Sequence, residues 1–312
     1  MNAKFGSSSI LLFLIACGGD DDTAIQSPIE RGKYLVDNVA VCQDCHTPRD
    51  EAGQPIPEQY LAGAECFVQL ESGSCLNTRN LTNHETGLLN RTNDEIKRMI
   101  RDGIRPAVTG DQPLSPVMPY YIFHNMSDDD LNAVVAYLRT VPGVDHRIER
   151  SGPEFEVPAA ANPLDTSRIP MPMQGYVDTA AALRGRYLAA EAGVCLECHT
   201  EHIMGDPNVL DLGGIFAGGE PFPIGLPVTP VSSNLTSDVE TGLGDWTVEE
   251  IVEVILNGTD TNDDGICPPM PVGPMGPFGQ LKPEDALDIA HYIKSLPPIS
   301  NAVDDMCTWP PM

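Results

Sequence analysis

The feature that most constrains this chain is a pentapeptide that occurs twice. Cys42-Gln43-Asp44-Cys45-His46 and Cys195-Leu196-Glu197-Cys198-His199 both read C-x-x-C-H. Two thiols three residues apart lie on neighbouring faces of one helical turn, where they can add to the two vinyl groups of one porphyrin as thioethers. The His that follows then offers a neutral imidazole to the iron. The pattern is that of covalent haem attachment. Four thiols could instead close one zinc or iron–sulfur site, or form a redox dithiol, but neither arrangement uses the His that follows both pairs.

The two pentapeptides belong to a longer repeat. Arg31-Gly32-Lys33-Tyr34-Leu35 returns as Arg184-Gly185-Arg186-Tyr187-Leu188, at the same offset of 153 residues as the C-x-x-C-H pairs. Leu61-Ala62-Gly63-Ala64-Glu65 returns as Phe216-Ala217-Gly218-Gly219-Glu220, Asn80-Leu81-Thr82 as Asn234-Leu235-Thr236, and Glu85-Thr86-Gly87-Leu88 as Glu240-Thr241-Gly242-Leu243. The order is preserved throughout, so a duplicated domain is the economical explanation. The Asn-Leu-Thr triplets are formally glycosylation sequons, a reading of little weight in a bacterial exported protein.

Each repeat carries three helix signals. The first helix starts near Ile29 or Ala181 and is expected to run into the C-x-x-C-H motif. A second opens on the capping boxes Thr92-x-x-Glu95 and Thr247-x-x-Glu250. It presents Ile96, Met99 and Ile100 in one copy and Ile251, Val254 and Ile255 in the other, and ends at Gly103 and Gly258. The last carries Leu131, Val134, Val135 and Leu138, matched by Ala286, Ile289, Ala290 and Ile293, and stops before Pro142 and Pro297.

On these residues the chain resembles a di-haem cytochrome c, with two class I cytochrome c domains in tandem, from about residue 28 to residue 298. The resemblance implies a mainly α fold in which each small helical domain surrounds one covalently bound haem c. It also implies that the first and last helices cross at a Gly–aromatic contact, Gly32 with Tyr137 and Gly185 with Tyr292. The boundaries expected are 28–148 and 179–300 for the domains and 149–178 for a Pro-rich linker lying extended over them. A tail, 301–312, follows. Only 6% of the residues are aromatic, which suits a core completed by porphyrin.

The iron needs a second axial ligand. In the family it is a Met on a loop before the last helix, a soft donor that raises the reduction potential. Met118-Pro119 matches in the first domain and Met270-Pro271 in the second, with Met275 on the same loop as the alternative. Met126 reads as a core residue. His84, His124, His146, His202 and His291 do not recur at matching positions and read as surface or core residues. In the family a Trp before the middle helix commonly bonds a haem propionate. Trp246 matches that role, whereas Arg91 stands at its place in the first repeat and could meet the propionate by a charge-assisted bond. Unequal potentials are expected for the two haems. Asp260-Thr261-Asn262-Asp263-Asp264-Gly265 looks like half a calcium loop, but its twelfth position is Pro271 rather than Glu, so a turn into the Met loop is expected.

The N-terminus reads as an export signal. Lys4 precedes a short apolar run, 10–15, too short to span a bilayer. Leu14-Ile15-Ala16-Cys17 resembles the bacterial lipoprotein box, which implies a signal peptide over 1–16, lipid on Cys17 and a polar tether over 17–27. Nine cysteines then divide into one for lipid, four for haem, and Cys66, Cys75, Cys267 and Cys307. In an oxidising periplasm the last four are expected in disulfides, Cys66 with Cys75 and Cys267 with Cys307, although other pairings remain open.

The formal charge is −27. It argues against nucleic acid and favours basic partners, met at a salt-dependent rate. With both axial positions filled no substrate reaches the iron. The function expected is passage of single electrons between periplasmic or membrane redox partners, held at a membrane face or the cell surface by lipid, without catalysis. Two alternatives stay open. One is the cytochrome subunit of a membrane-bound alcohol, aldehyde or sugar dehydrogenase. The other is a di-haem peroxidase-like enzyme with one open iron.

Overall fold

The computed structural model describes residues 26–70, 72–155, 160–203, 206–222 and 229–303. The segment expected as a signal peptide, Cys17, nearly all of the expected tether, and Cys307 with most of the expected tail lie outside them. Among the described residues the chain is mainly α, with two-stranded antiparallel pairs and a few isolated bridges between the helices. No helix among the described residues is long and apolar enough to cross a membrane.

The N-terminal half begins with α1 (Pro28–Tyr34), capped by a Ser27/Glu30 capping box. A single π-turn follows, Leu35–Val39, and then Val41 at φ +44° opens α2 (Cys42–His46), the first C-x-x-C-H. The expectation that the first helix runs into the motif is therefore corrected: a wide turn and a left-handed residue separate them. The apolar run Leu35, Val36, Val39 and Ala40 hides this break from periodicity alone. A hairpin, β1 (Val68–Gln69) with β2 (Cys75–Leu76), is cross-linked by the Cys66–Cys75 disulfide. Then come α3 (Asn93–Asp102), the pair β3 (Ile104–Arg105) and β4 (Gln112–Pro113), a short α4 (Tyr120–Phe123), and α5 (Asp128–Leu138).

The C-terminal half repeats the plan with α6 (Thr179–Ala190), α7 (Cys195–Cys198), the pair β5 (His202–Ile203) and β6 (Asp206–Leu210), α8 (Val248–Asn257) and α9 (Pro283–Lys294). Here too the first helix stops short of the motif, at Ala190. Helices α3 and α8 start at the expected capping boxes on Thr92 and Thr247, and end at Gly103 (φ +61°) and Gly258 (φ +75°).

In each half the first and last helices cross at a glycine. A methyl on Gly32 would lie 1.9 Å from the Ala133 carbonyl oxygen and 2.8 Å from the Tyr137 Cβ; one on Gly185 would lie 1.9 Å from the Asp288 carbonyl oxygen. No side chain fits so close an approach. Beside the crossings Arg31 makes a bidentate bridge to Asp130, 2.8 Å on both arms, and Arg184 one to Asp288, 2.7 Å on both.

The halves join through a reciprocal contact. Tyr187 Oη donates to Asp130 (2.7 Å) and accepts from the Ser127 amide (3.2 Å); Tyr34 Oη donates to Asp285 (2.6 Å) and accepts from the Lys282 amide (3.2 Å). Tyr34 and Tyr187 are the matching residues of the repeat, and each bonds the start of the other half's last helix. This is the pattern of an isologous two-fold contact. The apolar residues buried in the two halves form one contiguous cluster. The Pro-rich segment touches both halves. Its Leu164 amide donates to the Tyr121 carbonyl (3.0 Å), and its Pro170 carbonyl accepts from Tyr292 Oη (2.9 Å).

Candidate functional site

The two C-x-x-C-H segments are built by the same set of bonds. His46 Nδ1 meets the Arg79 carbonyl at 2.7 Å and His199 Nδ1 meets the Ser233 carbonyl at 2.8 Å. A carbonyl only accepts, so in both rings Nδ1 carries the proton and Nε2 keeps its lone pair. Burial pushes both imidazoles toward the neutral form, and the carbonyl only partly opposes it. Each ring is thus a preset, uncharged donor.

What fixes those carbonyls is the Asn-Leu-Thr triplet. Asn80 Oδ1 accepts from the Thr82 amide (2.8 Å) and hydroxyl (2.7 Å), and its Nδ2 donates to Thr86 Oγ1 (2.9 Å) and the Val144 carbonyl (2.9 Å). Asn234 does the same with Thr236 (2.9 and 2.8 Å), Thr241 (3.1 Å) and the Ile299 carbonyl (2.8 Å). Asn80, Thr82, Asn234 and Thr236 are all buried, so the triplets are internal latches rather than surface sequons. The residue after each motif adds a second tie. Thr47 Oγ1 accepts from the Leu61 amide and Thr200 Oγ1 from the Phe216 amide, both at 3.1 Å. Sequence reasoning missed these roles, although the Cys-His-Thr and Asn-Leu-Thr strings recur in step.

All ten residues singled out from the sequence line one cleft of about 2960 Å3 that runs through both halves: Cys42, Cys45, His46, Met118, Arg91, Cys195, Cys198, His199, Met270 and Trp246. Met118 and Met270 pack against the apolar core and sit in matching turns, with Tyr120 donating to the Met118 carbonyl (2.7 Å) and Val272 to the Met270 carbonyl (3.0 Å). Met275 also borders the cleft but is 96% exposed. Met126 is buried in the core. Arg91 donates to the Pro106 carbonyl (2.7 Å), and no acceptor among the described residues meets the Trp246 indole. The Asp260 loop is a tight turn: the Asp260 carboxylate accepts from the Asn262 (2.8 Å) and Asp264 (2.9 Å) amides.

The four motif cysteines are not in disulfides. Burial pushes the thiols of Cys42, Cys45 and Cys195 up to about 12, and that of Cys198 up as well. Among the described residues no three His, Cys, Asp or Glu side chains gather as an ion site. A neutral His, two thiols and an apolar cleft fit a porphyrin linked through its vinyl groups. Cys267 is disulfide-bonded; its expected mate, Cys307, lies outside the described residues.

The remaining histidine of note is His202. It lies between two carboxylates, Nδ1 3.1 Å from Glu220 and Nε2 3.6 Å from Glu197. Their hydrogen bonds and charge outweigh desolvation and raise its pKa to about 10. Glu197 also accepts from Tyr121 Oη of the other half, so this charged cluster lies where the halves meet.

Residues 29–142 match the cytochrome c family. Over longer stretches the chain is similar to the cytochrome c subunit of a quinone-type alcohol dehydrogenase from Gluconobacter oxydans (strain 621H), 29% identical over 248 residues, 77% of this chain and 48% of the relative. It is also similar to the gluconate 2-dehydrogenase cytochrome c subunit of Pantoea cypripedii, 26% identical over 288 residues, 88% of this chain and 61% of the relative. A shorter stretch of 113 residues is 32% identical to the fructose dehydrogenase cytochrome subunit of Gluconobacter japonicus, 36% of this chain and 22% of the relative. The chain thus spans about half to three-fifths of the first two relatives.

Proposed function

We propose that the chain is a cytochrome c, and within that family a di-haem electron carrier built from two tandem cytochrome c domains, 28–148 and 179–300. The observation that carries this reading is the duplication of the whole cradle. Both halves hold a His whose Nδ1 is tied to a backbone carbonyl, two protonated thiols beside it, and a Met-Pro turn on the same cleft. Haem c, when bound, supplies a one-electron couple through its iron.

The protein's share of the work is positional. Cys42 and Cys45, and Cys195 and Cys198, anchor the porphyrin edge. The latches on Asn80 and Asn234 hold the imidazoles of His46 and His199 in one tautomer. Met118 and Met270 would supply the second donor to each iron and shield it from water and substrate; the exposure of Met275 favours Met270 over it. Trp246 and Arg91 bind propionate. The export signal and lipid on Cys17 place the carrier at a periplasmic membrane face, and its acidic surface receives basic partners.

The relatives favour a more specific setting, in which the chain serves as the cytochrome subunit of a membrane-bound dehydrogenase of alcohols or sugars and passes on electrons taken from its substrate. Haem content per chain and the far-red charge-transfer band of Met-ligated ferric haem test the reading together. Two haems, both contributing to that band, are expected. A single haem would sink the di-haem reading, and high-spin features from one of two haems would move the assignment to a peroxidase-like enzyme.

A further inference from the structure

The turn that carries Met118 is fastened three times. Its backbone closes on itself: the Tyr120 amide donates to the Met118 carbonyl (2.7 Å), and the Ile122 (3.0 Å) and Phe123 (3.1 Å) amides donate to the Pro119 carbonyl. Helix α4 therefore starts on the Met-Pro pair, and Tyr121 follows Met118 on the same rigid piece. The segment between the halves holds α4 as well. The Leu164 amide donates to the Tyr121 carbonyl (3.0 Å), and the Ala161 amide to Tyr120 Oη (2.8 Å). The third fastening crosses to the other half, where the Tyr121 hydroxyl donates to the Glu197 carboxylate.

Glu197 sits between Cys195 and Cys198 in α7, two residues before His199. His202 Nε2 stands 3.6 Å from it, and the Glu220 carboxylate accepts from the His202 amide (2.9 Å). Tyr121 is buried, and burial together with the Glu197 charge raises its pKa, so the hydroxyl stays a donor. A phenol donating to a carboxylate away from water is a strong tie. The packing beside it agrees: a methyl on Gly193 would lie 3.1 Å from the Val39 carbonyl oxygen, so the chain entering the second C-x-x-C-H abuts the chain entering the first.

The tie has no twin. Met270-Pro271-Val272-Gly273 stands where the first half has Met118-Pro119-Tyr120-Tyr121, and Gly273 has no side chain to offer. Asp44, at the place of Glu197 in the first motif, pairs with Arg49 (3.5 Å) instead. The second Met loop is reached across the halves only further on, where Asn38 Nδ2 donates to the Pro277 carbonyl (3.0 Å).

We propose that Tyr121 is a positioning residue of the first site, and that its bond to Glu197 makes Met118 ligation in the first half depend on the second half. This rests on the di-haem reading above, with Met118 as a ligand. The first site is then one that the second half completes, whereas the second site closes without such a tie.

The test is an imidazole titration of the oxidised, haem-loaded, full-length chain, followed at the far-red band of Met-ligated ferric haem. Imidazole replaces Met where the turn yields. Tyr121→Phe should raise the imidazole affinity of the first site about tenfold, since a hydrogen bond to a charged group is lost. Glu197→Ala should do the same, and Glu197→Gln, which keeps an acceptor oxygen, should hold the parent value. In a Cys42→Ala/Cys45→Ala chain, loaded only in the second half, Tyr121→Phe should change nothing. Tyr34→Phe also removes a hydroxyl bonded across the halves, but one that ends on α9, and should leave the first site as it is. The inference is overturned if Tyr121→Phe binds imidazole like the parent, if both sites shift alike, or if Tyr34→Phe shifts the first site as much. One haem per parent chain would instead remove the di-haem reading. Hydrogen exchange at the Tyr120 and Phe123 amides would then decide: faster exchange in Tyr121→Phe supports the tie, and parent exchange overturns it.

Discussion

The two halves of this chain are alike in the frame that holds the imidazole and unlike in several features around it. The carbonyl on His Nδ1, the Asn-Thr latch, the Thr tie and the glycine crossing are superimposable bond for bond. The differences lie around that frame. The first half inserts a π-turn after α1 and pins a hairpin with a disulfide. It brings arginines as well as Asp44 and Glu85 to its cleft wall, where the second half sets carboxylates and the His202 ion cluster without Lys or Arg among the described residues. A metal cradle tolerates little change because every bond in it aims one ring. The charge around it can drift, and with it the potential.

The sharpest way to break the likeness is at the helix crossings. Gly32→Ala and Gly185→Ala each drive a methyl into a backbone carbonyl at 1.9 Å and should cost about 3 kcal/mol. Denaturant unfolding followed by haem absorbance would check this, with equal losses expected in the two halves; a clear inequality would mean that the crossings are not equivalent. Next in size are the latches. Asn80→Ala and Asn234→Ala leave the buried Thr82 and Thr236 amides without an acceptor and should cost roughly 1–3 kcal/mol each. Each should also weaken Met ligation in its own half, read as loss of half the far-red band.

A third comparison separates the halves by pH. With a folded pKa of about 10 against about 6.5 unfolded, His202 contributes stability that is full below about pH 6.5 and is lost as pH rises toward 10. Urea midpoints measured over that range should fall for the parent chain and flatten in His202→Gln. An unchanged slope in the variant would place the effect elsewhere.

Much of this was legible in the sequence, and the exceptions share a cause. Capping boxes, terminal glycines and the C-x-x-C-H pairs declare themselves within a few residues. All ten site residues were found on one cleft because motif, Met-Pro and Trp or Arg recur in register. The latch was misjudged because a local reading of Asn-Leu-Thr is a sequon, while its closing partners, Val144 and Ile299, lie 64 and 65 residues away. The π-turn was invisible because Leu35, Val36 and Val39 also suit an unbroken α-helix. The reciprocal tyrosines carried a signal, the shared Arg-Gly-x-Tyr-Leu string, but nothing local says that a Tyr faces another half. Charge was read as one total, which hides its partition.

The exchange of Tyr34 and Tyr187 across the two-fold contact has a consequence of its own. Identical subunits meeting through such a contact must give both metals the same surroundings, since any substitution appears twice. A covalent join between the subunits lifts that obligation while leaving the contact intact. The chain keeps the geometry of a symmetric pair while the surroundings of its two C-x-x-C-H motifs are free to diverge.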